Sequence, residues 1–174
     1  YRGCGIIEKT LYQHVLDLLN KRNVPVESLG GLVYAGQKEH NPDIELDECI
    51  DAVYHVLNKR EIQNILLLGI NLDMWADRGI EDQYLAEILN EDSGLFQCDE
   101  TLSHGCVEIF GGIGISNLGY LDHVKPGIIG KVDARKNSCN VFLDDILAGI
   151  VASAEAYVAN KHPMGVYQEF EEEK

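Results

Sequence analysis

FLDDILAGIVASAEAYVANK, residues 142–161, decides how this chain folds. Phe142, Ile146, Ile150, Ala154 and Tyr157 recur on or near one face, so the stretch reads as a helix over roughly 141–160. Its apolar face places it at the centre of a helical bundle, yet its first turns carry Asp144 and Asp145 side by side. Adjacent carboxylates repel, and burying either one unpaired is costly. A capping carboxylate should precede the helical pattern, whereas these two follow Val141, Phe142 and Leu143. Neighbours on a helix diverge by about 100°, so the pair cannot face one point squarely. One can hold a hard cation while the other binds a second ion or orients a water.

Working outward, the remaining segments also read as helices. Leu11, Val15 and Leu18 continue a helical spacing from Ile7, and Asn23 before Pro25 stops it. VESLGGLVYAGQK, residues 26–38, predicts a second helix despite three glycines. Leu46, Cys49, Ile50, Val53, Val56 and Leu57 lie at i, i+3, i+4, i+7, i+10 and i+11, a pattern no strand produces. Ile62 to Leu72 keeps the helical period, IEDQYLAEILNED adds a further helix closed by Gly94, and residues 101–118 are again mostly apolar. KPGIIGKVD, residues 125–133, is the one candidate strand. The expected fold is all-α: a single-domain bundle of about six or seven helices around a central buried one, spanning 1–162, with an acidic, frayed tail over 163–174.

Composition narrows the function. The 174 residues hold 14 Lys and Arg against 29 Asp and Glu, a formal charge of −15, which disfavours nucleic acid as a partner. An anionic substrate would be repelled as well unless a bound cation intervened. The five cysteines form no C-x-x-C pair and the six histidines no H-E-x-x-H, so neither a disulfide framework nor a zinc hydrolase is indicated. Residues near Tyr1 show no signal-peptide pattern, and the longest uncharged apolar runs reach about half the roughly 20 residues a bilayer span needs. The expected location is the cytoplasm, at most peripheral to the inner face of the membrane. A homodimer fits a helical protein of this size, although no apolar seam marks an interface.

The glycines of IFGGIGISNLGY suit close helix approach better than a phosphate loop, since no strand precedes them. Cys98 has no basic neighbour in sequence and reads as a small hydrophobe rather than a nucleophile. Asp73 and Asp77 of NLDMWAD read as exposed acidic positions. The informative acids are Asp99 and Glu100 in CDET, Asp122 with Lys125 in LDHVKP, and Asp144 with Asp145 in LDDILAG. Each pair alone suits a helix start, but gathered from separate segments they can surround one or two Mg²⁺ ions.

Those motifs resemble the phosphatidylglycerophosphatase A family, which pairs D-E with a later D-x-x-K-P and then D-D-x-x-A-G. Here they stand at 99–100, 122–126 and 144–149 in the same order, and Asp92 lies seven residues before Asp99 as in that family. The likeness extends to its soluble branch, the low-temperature-requirement proteins, through segments such as KREIQNILLLGINLD and GIGISNLGYLD. It implies Mg²⁺-dependent hydrolysis of a phosphate monoester, phosphatidylglycerophosphate in the family's case, with Ca²⁺ or Mn²⁺ as possible substitutes. By the same resemblance Asp99, Glu100, Asp144 and Asp145 are metal ligands. Asp122, Lys125 and Asp145 serve the chemistry, with Lys125 neutralising a phosphate oxygen. The chain lacks the spanning helices of the membrane-embedded members, so the substrate is either a soluble phosphate or an anionic phospholipid met at the membrane surface. Two alternatives remain open at this level. One is an all-α nucleotide pyrophosphohydrolase built on ELDECIDAV and NLDMWAD; the other is a non-catalytic, metal-binding relative.

Overall fold

The computed structural model describes residues 9–92, 94 and 96–162, and these form nine α-helices with no strand among them. They are α1 Leu11–Lys21, α2 Val26–Gln37, α3 Leu46–Leu57, α4 Arg60–Ala76, α5 Gln83–Glu91, α6 Cys98–Glu108, α7 Gly112–Val124, α8 Ile128–Asp133 and α9 Leu143–Lys161. The expected Ile7 start and the acidic tail lie outside the described residues. Thr10 starts α1 through a capping box: its hydroxyl accepts from Gln13 N while the Gln13 side chain accepts from Thr10 N.

The helix count exceeds the expected six or seven partly because the expected strand is α8. Pro126 ends α7, and Gly127 at φ +57° turns the chain, a conformation glycine adopts freely. Gly130 then passes so close to the Lys125 carbonyl that any side chain there would strike it. The apolar run Ile128, Ile129 and Val132 has the 3.6-residue spacing of a short helix as readily as the alternation of a strand, and tight glycine turns select the helix.

α9 is the hub, with 15 of its 19 residues buried and with α2, α3, α4, α6, α7 and α8 packed around it. A helix enclosed on all sides must be apolar or small-residued all round. Ala148, Gly149, Ala152, Ser153 and Ala156 meet that need, and Gly149 marks the closest approach. A Cβ at Gly149 would stand 2.8 Å from the Ser103 carbonyl and 3.0 Å from Cys106 Cβ on α6. Ser153 Oγ seals the same contact by donating to the Cys106 and Gly149 carbonyls, at 3.0 and 2.7 Å. Gly149→Ala should therefore force α6 and α9 apart and destabilise the protein by about 1–3 kcal/mol, the usual cost of overpacking, read as a lower urea midpoint at unchanged slope.

Further along α9, Glu155 is 5% exposed and accepts a 2.7 Å hydrogen bond from Asn117 Nδ2. Burial pushes its carboxyl up to about 7, and the Asn117 bond only partly opposes this. A carboxyl raised on folding stabilises the native state below its ordinary range near 4.5, and that contribution is lost as pH climbs through about 7. Glu155→Gln should flatten that fall, gaining on the order of 3 kcal/mol relative to native between pH 5 and 8, measured by denaturant unfolding.

Candidate metal centre

Three buried or half-buried carboxylates converge where the starts of α6 and α9 meet. Asp99, Glu100 and Asp145 each present an oxygen, and the three atoms lie within 4.8 Å of one another. α6 begins at Gln97, held at φ +62°, so Asp99 and Glu100 stand in its first turn, where the helix dipole favours negative charge. Asp99 Oδ1 also accepts from Glu100 N at 3.0 Å. Burial, then the adjacent Glu100 side chain, pushes Asp99 up to about 7, while the Asp99 side chain draws Glu100 below its ordinary range. Burial, then the neighbouring charges of Asp144 and Asp122, pushes Asp145 up to about 9.

Asp122, near the end of α7, stands beside Asp145 and contributes to holding the Asp145 carboxyl up. One residue back on α9, Asp144 turns elsewhere: its Oδ2 accepts from Lys125 Nζ at 2.5 Å. Lys125 also donates to Asp133 Oδ1 at 2.9 Å and lies 3.9 Å from Asp145 Oδ1. Burial disfavours the ammonium, but these carboxylates outweigh it and hold Lys125 firmly charged. Lys125 occupies the left-handed region at φ +45°, uncommon for a side-chain-bearing residue. That twist ends α7 just before Pro126, and the lysine reaches back to α9. Lys125 is thus a bridge among acids rather than a solvated loop lysine. Asp133, eight residues on in α8, carries no sequence signal that marks it as a partner.

The cluster fits a hard divalent cation. Glu100 Oε2 is buried and finds no hydrogen-bond partner among the described residues. An orphaned buried carboxylate oxygen beside two further carboxylates is costly without a positive charge to face it. Oxygen-only donors suit Mg²⁺, Mn²⁺ or Ca²⁺.

The structure corrects the sequence reading of Asp73 and of the residue that ends α5. Asp73 is fully buried, not exposed, while Asp77 is exposed as expected. Asp73 reaches from α4 to accept from Phe142 N and Leu143 N, at 3.1 and 3.0 Å, and so caps α9 from outside its own sequence. Asp77 accepts from Cys139 N and pairs with Arg22, which also holds Asn140. The acids of ELDECIDAV and NLDMWAD do not gather into a pyrophosphohydrolase centre. Glu48 pairs with Lys161 and His162 on the surface, and Asp73 is committed to the cap. The glycines of 111–119 belong to the start and body of α7, with Gly114 packed on Val107. Asp92, not Gly94, is the left-handed residue that ends α5; burial raises the Asp144 carboxyl, Lys125 opposes this, and the charges of Asp133 and Asp92 add to the rise.

A cavity of about 500 Å³ adjoins this centre, lined by Asp92, Asp133 and Asp144 together with Arg135, Lys136 and Ser138. The family model for phosphatidylglycerophosphatase A matches residues 26–160, a span containing all the converging acids. The chain belongs to the phosphatidylglycerophosphatase A family. The crystal structure of low temperature requirement C protein from Listeria monocytogenes superposes with a TM-score of 0.85 at 38% identity, covering 89% of this chain and 98% of that one. A Bacillus stearothermophilus protein of unknown function superposes at 0.84 with 41% identity, covering 89% and 97%. YutG of Bacillus subtilis, an uncharacterized protein, is 40% identical over 144 residues, 82% of this chain and 87% of its own length. No described helix of this family member is long and apolar enough to cross a membrane.

Proposed function

We propose that this protein is a divalent-metal-dependent phosphatase of phosphate monoesters, with phosphatidylglycerophosphate as the favoured substrate and phosphatidylglycerol and inorganic phosphate as products. The observation that carries the reading is the orphaned Glu100 Oε2 inside the Asp99, Glu100 and Asp145 cluster. Asp99, Glu100 and Asp145 would hold Mg²⁺, with Mn²⁺ or Ca²⁺ as alternatives. When bound, the ion supplies positive charge for the phosphoryl oxygens and lowers the pKa of water. Asp122, a carboxylate beside Asp145, is placed to accept the proton of the attacking water. Lys125 offers its ammonium to a phosphate oxygen, and Asp144 and Asp133 hold it in place. Asp144, expected from sequence as a metal ligand, is thereby assigned to orienting the lysine. Hydrolysis breaks the phosphorus–oxygen ester bond, the phosphate takes the hydroxyl of water, and the leaving alkoxide takes its proton.

The adjoining cavity gives room for a polar headgroup, and its Arg135 and Lys136 complement the second phosphate of such a lipid. The cavity of about 770 Å³ near Glu155 has no such cluster among the described residues and is not assigned to this reaction. We place the enzyme in the cytoplasm, meeting lipid at the membrane surface. The test is phosphate release from a short-chain phosphatidylglycerophosphate, with Mg²⁺ and with chelator, beside glycerol phosphate as a soluble comparison. Release that requires metal and prefers the lipid supports the proposal; release from neither, by folded protein, leaves a metal-binding relative without this activity.

A further inference from the structure

A second cavity, of about 770 Å³, opens between the C-terminal ends of α2 and α9 and the outer face of α7. That volume lies within the range of small-molecule sites, roughly 300–1,000 Å³. It lies around Glu155, ten residues beyond Asp145 on α9 and so about 15 Å from the carboxylate cluster along the helix. Glu155 Oε2 is taken by Asn117, and no Lys, Arg or His among the described residues pairs with the other oxygen. Gly36 faces that oxygen directly, and any side chain at 36 would collide with Oε1. The carboxylate thus has space made for it rather than a partner supplied. A buried carboxylate left in this state is costly unless an opposite charge arrives.

The walls define what can arrive. The lining holds two carboxylates, Glu155 and Glu39, and neither lysine nor arginine; His40 and His162 are its only basic groups. Anions are therefore disfavoured. No third carboxylate, histidine or cysteine joins Glu155 in a metal-binding group among the described residues. Ile113 and Tyr120, seven residues apart on one face of α7, stand 43% and 66% exposed at the rim.

We propose that this cavity binds a small organic cation, a primary amine whose ammonium pairs with Glu155 and whose apolar body lies along Ile113 and Tyr120. The inference is independent of the phosphatase reading, because none of these residues belongs to the carboxylate cluster. The probe is hexylamine, with hexanol and hexanoate as controls of equal length, titrated at about 0.15 M salt to screen the general acidity of the surface. Binding is followed by calorimetry and by amide NMR of Asn117 and Gly36. Hexylamine should bind saturably and shift both signals, hexanol should bind at least tenfold more weakly, and hexanoate should not bind. Glu155→Gln keeps an acceptor for Asn117 and should weaken hexylamine at least tenfold. Ile113→Ser, at an exposed rim position the fold tolerates, should weaken it several-fold, and Asp145→Asn should leave it unchanged. Absence of saturable hexylamine binding, equal affinity for hexanol, or undiminished binding by Glu155→Gln overturns the proposal.

Discussion

Asp145→Asn should lower metal-dependent phosphate release by about a thousandfold while leaving the fold intact. Asparagine keeps the shape and hydrogen-bonding reach of the carboxyl but removes the charge. Asp145 supplies the only α9 oxygen in the three-carboxylate cluster; Asp99 and Glu100 both come from α6. Losing it leaves two donors on one helix turn, too few to hold a hard ion that prefers several oxygen ligands. Since that ion would carry most of the charge stabilisation in phosphoryl transfer, a loss at the upper end of single-group effects, about 10³, follows. The check is twofold: steady-state phosphate release, and the rise in melting temperature that Mg²⁺ produces in the native protein, which the variant should lose. An Asp145→Asn protein that keeps both would remove the cluster from the mechanism.

Asp73→Ala should cost about 3 kcal/mol of stability. The side chain is fully buried and takes the N–H groups of the cap residue Phe142 and of Leu143, the first residue of α9, so its removal leaves two buried donors unmatched. Loss of a cap costs typically about 1 kcal/mol and up to about 2 in a protein, and each buried unsatisfied donor about 1–3. The lower end of that sum applies because water can enter the space. For a chain of this length the melting temperature should fall by roughly 10 °C. Activity should fall with it under conditions where the variant remains folded, because the same turn of α9 presents Asp144 and Asp145. Asp73→Asn, which retains one acceptor, should recover about half of the lost stability. A variant as stable as native would show that α9 needs no cap from α4.

How much of this was legible beforehand depended on whether the deciding interaction was local. The i, i+3, i+4 pattern of Cys49, Val53, Val56 and Leu57 named α3, because helical burial repeats every 3.6 residues whatever the neighbours are. KPGIIGKVD misled because six residues are too few for the period to separate helix from strand, and the outcome rested on glycine turns against Lys125. Asp73 was misread because its partners, Phe142 and Leu143, lie 69 and 70 residues away. Nothing local distinguishes a surface aspartate on α4 from one that caps another helix.

The carboxylates divide in the same way. From the order of residues alone came the all-helical class, the central place of 142–161, the family, and the suspicion that Asp99, Glu100, Asp122, Asp144 and Asp145 act together. Helix geometry even required Asp144 and Asp145 to point apart. Which of the two joins Asp99 and Glu100, and which takes Lys125, was decided only by packing. Gly149 lets α6 lie against α9 and the left-handed turn at Lys125 brings α7 beside both, so Asp145 meets the acids and Asp144 meets the ammonium. Backbone and side-chain preferences act over a few residues and can be read along a chain. Charge pairing acts through space, and its partners are known only when the helices have closed on one another.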